Sequence, residues 1–141
     1  MTILYGNGQS RSFRALWALE EANMRYEYKH VDLGLGGEGS APDKKYLSLN
    51  SQGKVPVLTD GDLVLTESAA ILNYIAALKP SSHLVPENDP ALRARYDQIS
   101  FFVLSELEQP LWTSGKHRFA LPEKVRVLAV LDTAHWDLAR Q

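Results

Sequence analysis

Two short runs have the residue types and spacing to hold a small peptide ligand: Gln52-Gly53-Lys54-Val55-Pro56-Val57-Leu58 and, eight residues on, Thr66-Glu67-Ser68. Pro56 has no N–H to give to a sheet ladder, and a cis bond after Val55 is the expected way to enter a strand there. Such a bend leaves the Val55 N–H and C=O free to pair with an extended ligand. Glu67 and Ser68 fall where a strand gives way to an apolar helix pattern, so unpaired backbone donors and the Ser68 hydroxyl can hold an anion. Glu67-Ser68 alone would read as an ordinary helix start with an acid near the dipole. The Val55-Pro56 bend upstream turns the pair into a ligand seat.

The elements that must position these residues are legible in outline. Residues 2–5 are a β-prone run stopped by Gly6-Asn7-Gly8. Residues 11–22 read as helix, with Phe13, Leu16, Trp17 and Glu20 on one stripe and Ser10 where a capping hydroxyl is expected. Trp17 reads as core. Residues 26–33 alternate as a strand, and the β-α-β order implies a parallel pair. The stretch 34–42, with four glycines, is a loop expected to be mobile. A short helix is expected over 43–49, before the Asn50-Ser51-Gln52-Gly53 turn. Strands 57–59 and 63–65 flank Asp60-Gly61-Asp62, a hairpin signal that makes them antiparallel. Helix 67–78 carries Ile71, Ile75 and Leu78 on one face and stops at Lys79-Pro80.

Three prolines and two serines within 80–90 mark a linker. The expected organisation is therefore a domain over 1–80, a linker over 81–89 and a helical region over 90–141. In that region helix 91–112 follows Asp89-Pro90, with Leu92, Tyr96, Ile99, Val103 and Leu107 on one face, Phe101-Phe102 as core and fraying at Pro110. Helix 122–140 repeats the pattern with Leu128, Leu131, His135 and Leu138.

Composition narrows the function classes. With 141 residues, 45% hydrophobic and 23% charged, the chain has the makings of a globular protein rather than a disordered one. No apolar run approaches membrane-crossing length and the N-terminus has no leader pattern, so a cytoplasmic protein without membrane partners is expected. A net charge of −2 with scattered Lys and Arg argues against nucleic acid. The four histidines lack metal-ligand spacing, so no metal is expected. There is no cysteine, so any thiol chemistry must use a sulfur that arrives with a ligand.

These residues resemble the glutathione S-transferase family. The matches are Tyr5-Gly6 before Ser-Arg-Ser-Phe-Arg, Leu16-Trp17-Ala18-Leu19-Glu20-Glu21, Gly53-Lys54-Val55-Pro56-Val57-Leu58 and Thr66-Glu67-Ser68-Ala69-Ala70-Ile71. The resemblance implies an α/β thioredoxin-like N-terminal domain (β-α-β-α-β-β-α) followed by an all-α domain, truncated here. It implies glutathione as co-substrate, with Val55, before Pro56, pairing its backbone with the cysteinyl part. Glu67 and Ser68 would take the γ-glutamyl end, and Lys54 or Gln52, less directly Lys44 or Lys45, the glycyl carboxylate. In serine-type members a hydroxyl at the start of the first helix favours thiolate over thiol. Spacing from Arg14 points to Ser10, with Ser12 the second candidate and Tyr5, near the end of the first strand, the third.

The activity implied is conjugation of glutathione to small electrophiles, a detoxification chemistry, or glutathione-dependent reduction of peroxides and disulfides. A homodimer is implied as well, with helices 67–78 and 91–107 in contact. Trp112 is a candidate for lining the second-substrate pocket. Family members are longer, and carry a later helix with a Thr-x-Ala-Asp type cap that this chain lacks before Gln141. A natural short form, a truncated product and an incomplete sequence all stay open. The alternative class is a non-catalytic glutathione-binding or interaction module on the same fold.

Overall fold

The computed structural model describes residues 1–34 and 39–141. The expected glycine loop thus lies partly, at 35–38, outside the described residues. The chain divides into two compact units, Met1–Glu87 and Asn88–Gln141. The stretch expected as linker holds the end of a 3-10 turn over Pro80–Ser82, and the first unit runs on to Glu87.

The first unit has the order β1 (Thr2–Gly6), α1 (Ser12–Glu21), β2 (Glu27–His30), α2 (Lys44–Leu47), β3 (Val57–Asp60), β4 (Leu63–Leu65), α3 (Ser68–Leu78). Its sheet runs β2-β1-β3-β4, with β2 parallel to β1 and the other two pairings antiparallel. This is the expected thioredoxin-like arrangement. Strand alternation sends Leu4 and Leu58 to one face, where they meet Ala15, Leu19, Ile71 and Ile75 of α1 and α3 in a buried core. Val57, with Val31, Ala41 and Tyr46, fills the other face under α2.

The stripe read on the first helix is rotated in the structure. Ser12, Ala15 and Leu19 face inward, whereas Phe13 and Trp17 are 57% and 58% exposed, their rings tilted against each other at 6.3 Å. Small residues let α1 press closely on the sheet, so the bulky aromatics are displaced outward and Trp17 is not core. The approach is tightest at Gly6: a Cβ built there lies 2.5 Å from Ser12 Cβ and 2.6 Å from its Oγ. Helix α1 also starts after Ser10, with Arg11 at the N-cap position and no side-chain cap.

The second unit departs further from expectation. Asp89 caps α4 (Pro90–Phe102), accepting from the N–H groups of Ala91 and Leu92 at 2.8 and 3.1 Å. Helical backbone then continues through π-turns at Val103–Glu108 and Lys116–Ala120, with α5 (Gln109–Gly115) between them. Pro110 does not fray the helix. The helical backbone runs through it because a π-turn precedes the proline, shifting the hydrogen-bond register where its missing N–H and ring would otherwise break an α-helix. Phe101 and Phe102 are 66% and 40% exposed, so they are not core, and Leu92 and Ile99 are also exposed.

The expected helix over 122–140 begins only at Val130, as α6 (Val130–Ala139). Residues before it are held in another path. Arg126 donates to the carbonyls of Leu121 and Phe119 at 2.8 and 3.0 Å, and the Val127 N–H donates to His117 Nδ1 at 2.9 Å. Helices α5 and α6 pack on each other around Pro110 and Ala134. Among the described residues no helix is long and apolar enough to cross a membrane.

Gly6→Ala should lower the unfolding free energy by about 1–3 kcal/mol through forced overpacking against Ser12. Gly8→Ala, where an added Cβ meets nothing within 4 Å, should stay within about 0.5 kcal/mol of the parent. Urea unfolding midpoints of the two variants check the contrast.

Candidate functional site

One end of the sheet gathers the residues singled out in the sequence. The β1–β3 ladder pairs Tyr5 with Val57, so the loop leaving β1 and the segment entering β3 meet at the same end. Strand β4 runs antiparallel to β3, with Leu65 opposite Leu58, and so delivers Thr66, Glu67 and the start of α3 to that end as well. Arg14 Nη1 donates to Ser68 Oγ at 3.5 Å, placing the first turns of α1 and α3 side by side. In the sequence Arg14 serves only to mark the spacing to Ser10, and nothing there signals its bridge to Ser68.

The Val55–Pro56 peptide is cis. Among the described residues none hydrogen-bonds the Val55 N–H or carbonyl. The residue before it is clamped: the Lys54 carbonyl accepts from the Tyr46 hydroxyl at 2.7 Å and from Asn50 Nδ2 at 2.8 Å. Gly53, at φ +61, completes the turn, and a Cβ there would lie 3.2 Å from the Ala41 carbonyl oxygen. Gln52 is exposed and its N–H donates to Asn50 Oδ1 at 3.1 Å. The Lys54 side chain is exposed beside them, while Pro56 is buried. Asn50, read in the sequence only as a turn residue, and Tyr46 thus fix the geometry of the segment.

Glu67 sits at the N-cap position of α3 with φ 67 and ψ 113, outside the regions a side-chain-bearing residue normally occupies. Holding it there costs on the order of 1–3 kcal/mol, which the surrounding packing must offset. Ser68, by contrast, is buried. Lys44 and Lys45 lie on α2, and Lys45 lines a cavity of about 330 Å³ with Tyr5, Lys29, Val31, Tyr46 and Leu49.

The loop after β1 is a network of hydroxyls and backbone. The Asn7 carbonyl accepts from the Ser10 N–H at 3.0 Å and from the Ser10 hydroxyl at 2.6 Å. The Asn7 N–H donates to Ser12 Oγ at 3.1 Å, and Ser10 Oγ lies 2.9 Å from Ser12 Oγ. The Ser12 N–H donates to Ser10 Oγ at 3.1 Å. Ser10 therefore does satisfy a first-turn donor, although it stands two residues before the helix. Ser10 is half-buried, whereas Ser12 is fully enclosed. Of the two, Ser10 alone has a surface that a ligand can reach. Tyr5 stacks at a tilt on Tyr46, on the α2 side of the sheet. Among the described residues no group of acidic or histidine side chains could hold a metal ion.

Comparison with known proteins bears on the family and the fold. Residues 1–77 match the family described as "Glutathione S-transferase, N-terminal domain". The chain is 33% identical over 114 residues to glutathione S-transferase 3 of Schizosaccharomyces pombe, covering 81% of this chain and 46% of that protein. It is 30% identical to a theta class glutathione S-transferase from Xanthomonas axonopodis pv. citri solved with glutathione bound. The TM-score is 0.76, and the match covers 99% of this chain and 65% of that one. A glutathione transferase from Methylococcus capsulatus str. Bath gives 31% identity and a TM-score of 0.80 over the same shares. The chain thus spans less than half of the first relative and about two thirds of the two solved chains.

The Tyr46 phenol is pushed up to about 12 by burial, and that of Tyr26 to about 12 by its hydrogen bond to Glu20. A phenol held neutral in the folded state contributes stability that is full below its ordinary value of 10.0 and is lost as pH rises toward 12. Tyr46→Phe should cost about 1 kcal/mol at neutral pH, since the Lys54 carbonyl loses one of two donors. It should also reduce, without abolishing, the loss of stability above pH 10.0. Unfolding midpoints measured across that range check both.

Proposed function

The chain belongs to the glutathione S-transferase family, and from that premise we propose that it binds glutathione at the α1–β3–α3 end of its sheet and activates the thiol for transfer. The observation that carries this reading is the convergence there of Ser10, the Val55–Pro56 cis bend and Ser68 at the start of α3, joined by the Arg14–Ser68 contact. Val55 would pair its backbone with the cysteinyl part, next to buried Pro56. Glu67 would meet the ammonium of the γ-glutamyl end, and Ser68 with the α3 N-terminus its carboxylate. Lys54, with Gln52 beside it, would hold the glycyl carboxylate. These assignments put the cysteinyl sulfur toward Ser10.

The chemistry then needs no sulfur from the protein. The thiol proton leaves to solvent, the Ser10 hydroxyl donates to the thiolate, and the sulfur attacks an electrophilic carbon, or a peroxide oxygen with cleavage of the O–O bond, release of an alcohol and condensation of the resulting sulfenic acid with a second glutathione to disulfide and water. With chlorodinitrobenzene, for example, a C–S bond forms and chloride departs. A homodimer in the cytoplasm is the setting that the family suggests. A second reading, a non-catalytic glutathione-binding module, is favoured by one observation: the Ser10 proton already rests on the Asn7 carbonyl at 2.6 Å.

Glu67→Ala and Ser68→Ala should each weaken glutathione binding by about 1–3 kcal/mol, the cost of leaving a charged partner unpaired. Calorimetric titration that finds both variants unchanged would remove the seat. If Ser10→Ala binds glutathione normally but loses turnover of chlorodinitrobenzene, the enzyme reading stands. Unchanged turnover would assign the activation elsewhere.

A further inference from the structure

Counting donors and acceptors around Ser10 gives its neighbour Ser12 a task of its own. The inference rests on Ser10 as the thiol-activating hydroxyl. Ser12 is fully enclosed, so its single hydroxyl proton must find a protein acceptor. The nearby backbone acceptors are taken. The Gly6 carbonyl receives the Val31 N–H at 2.8 Å and the Tyr28 hydroxyl at 2.9 Å. The Asn7 carbonyl receives both the N–H and the hydroxyl of Ser10. A carbonyl oxygen has two lone pairs, so both are full. The Ser10 proton lies on Asn7, so in the 2.9 Å contact between the hydroxyls Ser12 is the donor.

Ser10 Oγ then accepts twice, from the Ser12 N–H and from the Ser12 hydroxyl, and both of its lone pairs are occupied. We propose that Ser12 is a positioning residue that makes Ser10 an obligate donor: its hydroxyl fills the last acceptor site on Ser10 Oγ, leaving that oxygen able to hydrogen-bond a thiolate but not to accept a proton from a thiol. Rotation of the Ser10 hydroxyl from the Asn7 carbonyl to a ligand sulfur leaves the oxygen in place, so the Ser12 bonds persist. Two donors feeding one hydroxyl also polarise it and strengthen the bond it gives. Gly6 belongs to this device, because a side chain there would displace Ser12.

The test follows glutathione thiolate formation on the protein by ultraviolet absorbance against pH, with affinity for S-methylglutathione, which has no thiol, as a parallel readout. In Ser12→Ala, Ser10 regains an acceptor site that can take a thiol proton, and the pH midpoint of thiolate formation should rise by about 0.5–1, the size of one neutral hydrogen bond gained by the thiol form. S-methylglutathione affinity should stay the same, Ser12→Thr should restore the midpoint, and Ser12→Ala added to Ser10→Ala should raise it no further. An unchanged midpoint in Ser12→Ala, with a raised one in Ser10→Ala, overturns the proposal and leaves the thiol-activating role of Ser10 standing. Equal losses for glutathione and S-methylglutathione also overturn it, since Ser12 then only shapes the loop. An unchanged midpoint in Ser10→Ala removes the reading beneath both. Should Ser12→Ala fail to fold, Ser12→Cys, a weaker donor, replaces it. The pH profile of kcat/KM with chlorodinitrobenzene should then move upward, and a profile identical to the parent's overturns the proposal.

Discussion

The register of the β1–β3 ladder is the constraint on which the rest of the first unit depends. Pairing Tyr5 with Val57 fixes three things together: which residues of each strand face the α1–α3 core, where the loop after Gly6 begins, and where the segment through Val55–Pro56 arrives. A slip of one residue would exchange Leu4 and Leu58 for their neighbours across the sheet and turn the core outward. The same slip would separate the Ser10 loop from the Val55 bend. Stability and site geometry are therefore set by one set of backbone hydrogen bonds.

The helices divide according to how their first turns are satisfied. Helices α2 and α4 are capped by Asp43 and Asp89 in the ordinary way. The first donors of α1 are claimed by Ser10 Oγ and by the Ser10 and Arg11 carbonyls, whereas no side chain caps α3 and the residue before it, Glu67, is held at positive φ. Backbone donors at a helix start favour an anion wherever nothing local claims them. The Arg14–Ser68 contact sets the start of α3 beside that of α1. Local stability is given up at the end of the sheet where the proposed ligand binds, and the hydrophobic core on the α1–α3 face supports the loss.

Much of the first unit was legible because its signals are local. Gly6-Asn7-Gly8, Asp60-Gly61-Asp62 and Lys79-Pro80 end elements by backbone chemistry that neighbours cannot override, and Val55-Pro56 announces its bend. The face that α1 buries was not legible. Apolar spacing favours Phe13 and Trp17, yet the close approach of α1 to Gly6 selects Ser12, Ala15 and Leu19. The same approach encloses Ser12, so the choice between the two serines depends on a tertiary contact rather than on spacing. In the second unit, Pro110 looked like a break because periodicity does not register a preceding π-turn. The delayed start of α6 comes from side chains of Arg126 and His117 that bind backbone distant from their own turn.

Bound glutathione should present its sulfur to Ser10 with its backbone against Val55. The most direct measurement is a crystal structure of the chain with glutathione. The sulfur should lie within hydrogen-bonding distance of Ser10 Oγ, the cysteinyl N–H and C=O should pair with Val55, and the γ-glutamyl carboxylate should lie at Ser68. Glutathione seated elsewhere, or with its sulfur turned to Tyr5 and away from Ser10, would contradict it.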